Sequence, residues 1–310
     1  MKSTCTPVHA YLHADDYAMN FPSSNRIFHC FSEGYLQGIS IMPNGCLSDI
    51  IPALESKNLK LRIHLNLVEG KALAPKNQLD LLVDERGYFR HSFIGLLLLS
   101  LSPTRKRLKQ QASLEFSYQI AHVMALTHSS CLGLDSHQHV HMIPLLFHSL
   151  EQAVTESGLT VESLRIPAEP LFPFLRYISL YPTYQFSNII KNILLNFLFL
   201  FIRKDIQHLT DNTPSVFMGI LFSGHMDEKR ILAVLPDFIK IAQRRHTSLE
   251  LLFHPGSILP GEPSLDPKKK SFLHFYKSSG RQVDAATLLS HPFYSKLSTM
   301  THYKEGTYDL

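Results

Sequence analysis

Apolar and polar residues in this chain alternate in short runs, each closed by a turn residue or a charged cluster. The clearest is "LKLRIHLNLVEG" (59–70), where Leu59, Leu61, Ile63, Leu65 and Leu67 fall on one parity and Lys60, Arg62, His64 and Asn66 on the other. A strict period of two is the mark of a strand with two unlike faces, and Gly70 closes it. Similar short runs occupy 8–16, 129–137, 160–167, 215–223 and 248–256, stopped by an Asp pair, a histidine cluster, Pro167, Gly224 and a Pro-Gly turn. Between two of them lies a helical stretch, "LLFHSLEQAVTES", with Pro144 suited to its first turn and Gly158 to its end. Short strands alternating with helices predict βα units and a largely parallel sheet. In such sheets the active site is built at the carboxyl ends of the strands. Asp15, Asp16, His64, His137, Arg165 and His254 all fall at or near those predicted ends.

Composition narrows the class. With 310 residues, 45% hydrophobic and 18% charged, the chain is long enough for a large α/β core, and disorder is excluded as its main state. No domain boundary or repeat is visible, so a single domain over 1–310 is expected. The net charge of +4 is small, and the basic runs "RKRLK" (105–109) and "KKK" (268–270) lack interleaved aromatics, so no nucleic-acid partner is expected. Cys5, Cys30, Cys46 and Cys131 form no CxxC pair. That spacing is no disulfide framework and suits a cytoplasmic location, as does the absence of an apolar leader in the first sixteen residues. The apolar run "ILLNFLFLFI" (193–202) is too short to span a bilayer and is expected to be a buried helix, the competing reading being a membrane-surface or lipid-facing patch.

The candidate chemistry centres on "LDSHQHVHMIP" (134–144), with His137, His139 and His141 at every second position behind Asp135. On a strand all four would share a face; on a helix only His137 and His141 would. Adjacent Asp15 and Asp16 would point to opposite faces of a strand, and a helix cap is the plainer reading of such a pair. One carboxylate and two imidazoles make a common catalytic metal set, with open positions for water and substrate.

The chain resembles the YdjC-like carbohydrate deacetylase family. The matching pieces are "LHADDYAMN" (12–20), "RIHLNLVEG" (62–70), "LDSHQHVHMIP" (134–144), "LRIP" (164–167) and "ELLFHPG" (250–256), in the family's order. The resemblance implies a distorted (β/α) barrel-like fold and metal-dependent removal of acetyl groups from N-acetylated sugars. Position by position, it implies Asp16, His64 and His137 as metal ligands, Asp15 as general base and His254 as general acid. It places Arg165, His139, His141 and Asn66 around the pocket as substrate-binding or supporting residues. It suggests Mg²⁺, whereas the ligand types equally suit Zn²⁺ or another transition metal. The family reads ADDFG where this chain has Tyr17 and Ala18, losing a glycine that tolerates positive φ. The stretch 171–214 matches no family motif and is expected to be a divergent insertion. Its apolar run motivates a second expectation, a lipid-linked or envelope glycan substrate with peripheral membrane contact. A third is a non-catalytic sugar or metal binder. Oligomeric state, a homodimer included, is left open.

Overall fold

The computed structural model describes residues 7–46, 51–56 and 58–301; Cys5 lies outside them. Seven strands form one sheet: β1 (Ala10–Tyr17), β2 (Gly38–Ile41), β3 (Lys60–Leu65), β4 (Cys131–Ser136), β5 (Thr160–Leu164), β6 (Val216–Met218) and β7 (Leu249–Phe253). Their order is β5-β4-β3-β2-β1-β7-β6, and every pair is parallel. This is the cyclic order of a barrel with a seam left unpaired between β5 and β6. The expected barrel-like α/β fold is therefore present as a half-barrel. The strand β2, "GISI", has no counterpart among the predicted runs. It is four residues long and buried throughout, so it shows no alternation.

Around the sheet run α1 (Phe21–Ser32), α2 (Ile51–Leu54), α3 (Phe93–Ser100), α4 (Arg105–Thr127), α5 (Pro144–Ser157), α6 (Phe172–Leu175), α7 (Phe186–Ile202), α8 (Glu228–Arg245), α9 (Lys270–Tyr276), α10 (Gly280–Leu288) and α11 (His291–Thr301). The start of α5 at Pro144 and its stop at Gly158, in the left-handed conformation at φ 69°, follow the sequence expectation.

The period-two pattern sorts the two faces. Ile63, Leu65, Leu132 and Leu134 pack outward against Phe116 and Ile120 of α4 and Leu146 and Leu150 of α5. Ala10, Leu12 and Ala14 pack with Ile27 of α1 and Ile231 and Leu235 of α8. The opposite parity carries His13, Asp15, Ser40, Arg62, His64, Asp135 and Glu250, all linked inside the curl. Gly133 makes room there, since a Cβ on it would stand 2.5 Å from Arg62 Cγ and 2.7 Å from Ser163 Oγ.

The helix α7 departs from expectation. Asn192, Leu195, Leu198 and Ile202 are buried, but Ile193, Phe197, Leu200 and Phe201 are more than half exposed. Only one stripe of the apolar run reaches the core. No helix among the described residues is long and apolar enough to cross a membrane.

Ala18, at the position where the resemblance expects glycine, stands at φ 72°. A left-handed L-residue costs roughly 1–2 kcal/mol. Losing the buried methyl and loosening the unfolded chain costs a similar amount, about 1–2 kcal/mol. Ala18→Gly is thus expected to leave stability nearly unchanged, whereas Ala14→Gly, equally buried but without positive φ, loses the full amount. Denaturant melts of both variants check this; equal losses would refute the strain argument.

Candidate active site

Adjacent Asp15 and Asp16 reach the same pocket because β1 breaks its regularity there. Its register against β2 shifts between Ala14 and Tyr17, and Asp16 takes φ 68°. A register shift re-aims a side chain that a regular strand would send to the far face. Asp16 Oδ1 then lies 3.1 Å from His137 Nδ1 and 3.7 Å from His64 Nε2. Asp15 Oδ2 lies 3.8 Å from His64 Nε2.

His64 is supplied by the inward face of β3, paired in register with Asp135 of β4. Its Nδ1 stands 2.6 Å from Asp135 Oδ1. Burial disfavours the Asp135 carboxylate, but Arg165 and His64 outweigh it and hold the group well below its ordinary range. An ionised carboxylate only accepts, so Nδ1 donates to Asp135 and Nε2 is the nitrogen turned toward Asp16.

The three-histidine cluster follows neither of the two regular geometries. The strand β4 ends at Ser136, and His137–Met142 form a 3₁₀ segment in which Gln138 (φ 54°) and His139 (φ 61°) are left-handed. The imidazoles therefore diverge. His137 faces Asp16 through Nδ1 and approaches Glu69 Oε2 at 3.4 Å through Nε2. Burial opposes its cation, yet hydrogen bonds to Asp16 and Glu69 prevail and lift it to about 9. His139 lines the pocket with its ring edge-on to Phe217, and its Nδ1 has no hydrogen-bond partner. His141 turns away. Its Nδ1 meets Ser136 Oγ at 2.5 Å and its Nε2 the Arg165 carbonyl at 2.9 Å, and burial pushes it down to about 4.

Arg165, fully buried after β5, donates through Nη1 to both oxygens of Asp15 (2.8 Å each) and through Nε to Glu250 Oε1 (2.6 Å). Nη1 also lies 2.9 Å from Asp135 Oδ2. Burial pushes the Asp15 carboxyl up from its ordinary value, with Arg165 pulling against it. Burial likewise pushes the Asp16 carboxyl up, but Arg281 and His137 overcome it and hold Asp16 well below the ordinary range. Asn66 lies outside the pocket. Its Oδ1 accepts from Val68 N (2.9 Å) and Glu69 N (3.2 Å), fixing the turn that presents Glu69. His254, after β7, lines the pocket, and its amide donates to Asp284 Oδ2 at 2.8 Å. Burial, with Arg281, holds its ring well below the ordinary value, and its Nδ1 has no partner.

Four contributors to the site are absent from the residues that the sequence motifs single out. Glu69 stands five residues beyond His64 in the same motif and accepts from the Tyr276 hydroxyl. Arg281 ion-pairs with Asp16 Oδ2 and donates to the Gly256 carbonyl at 2.6 Å. Lys191 lines the pocket from α7, inside the stretch without a motif, and burial lowers it to about 8. Of these only Glu69 has a local signal, a lone carboxylate before a glycine. Tyr276, Arg281 and Lys191 are joined to the site by tertiary folding alone.

Asp16, His64 and His137 offer ligand atoms within 4.8 Å of one another, all buried. Their donor set fits a divalent cation. Asp16 Oδ1 has no well-directed hydrogen bond, and each imidazole directs its other nitrogen toward a carboxylate. A second trio, His13, Asp15 and Asp135, is equally close, but there Arg165 Nη1 already bridges the two carboxylates.

A cavity of about 200 Å³ at the carboxyl rim of a parallel α/β half-barrel, walled by Asp15, Asp16, His64, His137 and His254, defines an α/β barrel-like enzyme with its site at the strand ends. The chain belongs to the YdjC-like protein family, whose model matches residues 9–299. Among its relatives, a protein of Danio rerio named carbohydrate deacetylase is 24% identical, covering 80% of this chain and 81% of that one. A carbohydrate deacetylase of Mus musculus is 24% identical over 78% of this chain and 76% of its own length. One of Thermoanaerobacter pseudethanolicus is 27% identical over 52% of this chain and 62% of its own. The crystal structure of an Enterococcus faecalis V583 protein shares the fold at a TM-score of 0.63, with 16% identity and 96% of each chain covered.

Proposed function

We propose that the protein is a metal-dependent hydrolase that removes the acetyl group from an N-acetylated sugar. The observation that carries this reading is the convergence of an Asp-His-His trio with a second, Arg-held carboxylate and a histidine around one small polar cavity. The carbohydrate deacetylase names of its relatives supply the substrate class.

Asp16, His64 Nε2 and His137 Nδ1 would hold the cation. A divalent cation seated there polarises the acetamide carbonyl and acidifies water. Asp15, next to this trio but fixed by Arg165, is the general base that takes the proton of the attacking water. Burial shifts its carboxyl upward, which makes it a stronger base than an exposed aspartate. His254, which lines the same cavity, protonates the leaving amine. Burial holds its ring well below the ordinary value, so the proton that Asp15 takes from water has to pass to His254 before it reaches the amine. His139 and Lys191 border the space left for the sugar.

The test is acetate release from a panel of N-acetylated mono- and oligosaccharides by metal-loaded protein, with chelated protein as control. Acetate that disappears on chelation is expected. Silence across the panel with the cation shown bound would refute the reading in favour of a non-catalytic binder. Two imidazoles and one carboxylate suit zinc and other transition cations, while family resemblance points to magnesium; elemental analysis of the purified protein decides between them.

A further inference from the structure

The catalytic cavity has an apolar annex. A groove of about 330 Å³ lies between α3 and α7, lined by Phe93, Ile94, Ile190, Leu194 and Leu195. It shares Gln138, Ser187 and Lys191 with the catalytic cavity, so the two adjoin across these residues. The helices flanking it both pack against the His137–Met142 segment, which fixes the groove relative to the site. Lys191 marks the junction. It lines both cavities, and its ammonium is attracted to Asp15 and Asp16 of the catalytic one.

Beyond the groove the same two helices expose further apolar side chains: Leu98 and Leu101 at the end of α3, Phe197 and Phe201 on α7. Apolar side chains left exposed together, as Phe197 and Phe201 are with ring centroids 5.1 Å apart, mark a binding region. A free oligosaccharide would leave it wet, being polar on all sides.

We propose that the groove binds the alkyl or isoprenoid chain of a glycolipid whose N-acetylated sugar head occupies the catalytic cavity. The inference rests on the deacetylase reading and extends it to the substrate class. Adjacency to the catalytic cavity selects this occupant. A second copy of the chain or an unrelated partner has no need of an apolar groove that shares a wall with the cavity holding Asp15 and Asp16, and a substrate tail does.

The test compares methyl and octyl N-acetylglucosaminides, below micelle-forming concentration, with metal-loaded full-length protein. Each methylene buried is worth about fourfold in binding, from ~0.8 kcal/mol. With part of the chain left in water, the octyl compound is expected to show a KM at least about tenfold lower at similar kcat. Ile190→Asp, at a half-exposed position, is expected to collapse that ratio to less than about twofold. A parallel calorimetric titration uses octyl glucoside, which has no acetamide and reports on the groove alone. Equal KM values together with no octyl glucoside binding overturn the groove assignment and leave deacetylation standing. Octyl glucoside binding that Ile190→Asp abolishes, with no acetate from any glycoside, supports the groove and overturns the deacetylase reading. Conversion of a dimer to a monomer by Ile190→Asp, with the KM ratio unchanged, assigns the face to a second copy and overturns the proposal.

Discussion

Asp16→Ala is expected to remove cation retention and acetate release together, whereas Asp15→Asn retains the cation and loses turnover by roughly 10²–10⁴-fold. The two residues are neighbours in sequence and both are buried, so a difference this large tests the geometry rather than the composition. Asp16 is grouped with His64 and His137 as potential ligands, and its Oδ1 faces both rings, 3.7 Å from His64 Nε2 and 3.1 Å from His137 Nδ1. Asp15 instead has both oxygens engaged by Arg165, which leaves it beside the trio rather than in it. Elemental analysis of each variant, alongside single-turnover acetate assays, separates the roles. Cation loss in Asp15→Asn with retention in Asp16→Ala would reverse the assignment. Asp135→Asn should be intermediate. It loosens His64 without touching the trio, and supporting partners of this kind are worth about 10–100-fold in metal affinity.

Arg165→Leu is expected to destabilise the protein by about 3–5 kcal/mol near neutral pH, the usual cost of leaving buried charges without their partner. Arg165 is fully buried among Asp15, Asp135 and Glu250, with Arg62 as the remaining cation at Glu250 Oε1 (2.6 Å). Lysine should not rescue it, because a single ammonium cannot reproduce contacts made by both Nη1 and Nε. The pH dependence has a definite sign. Burial raises the Glu250 carboxyl, but Arg165 and Arg62 prevail and hold it at about 2. A depressed folded-state value contributes stability above the unfolded value of about 4.5, and that stability is lost as pH falls toward 2. The gap between wild type and Arg165→Leu should therefore be widest above about pH 5 and narrow on acidification through this window. Urea melts at several pH values measure it. A constant gap would show that the ionic network is not the source of the loss.

How much of the fold and site is legible in the sequence follows from the range of each signal. The strand "KLRIHL" announces both of its faces, because alternation is a local property of the backbone. Periodicity alone thereby places His64 and Arg62 on the polar side. The strand β2 is silent, since a buried four-residue strand in a parallel sheet has no polar face to alternate with. The positions of Asp15, Asp16, His64, His137 and His254 at strand ends are readable, because each precedes a turn residue or charged cluster. The directions taken by His137, His139 and His141 are not readable from their spacing, and only the family resemblance separates His137 from the other two. Those directions depend on two left-handed residues, Gln138 and His139, that carry no glycine to betray them. Proximity in the chain groups Asn66 and His141 with the pocket residues, and the structure shows them bracing turns behind it.

What the sequence determined by itself is the parallel α/β alternation, the polar rim and the motif set that places the chain in its family. These rest on periodicity and on residue types at fixed spacing, both carried by neighbours along the chain. What only the tertiary structure decided is that Asp15 meets Arg165 while Asp16 meets His137 and Arg281, the latter recruited with Tyr276 from helices late in the chain. It also decided that α7 brings Lys191 to the site and opens an apolar groove beside it. Those outcomes depend on a shifted register and on residues far apart in the chain meeting in a low-dielectric interior. Side-chain spacing along one strand carries no information about either.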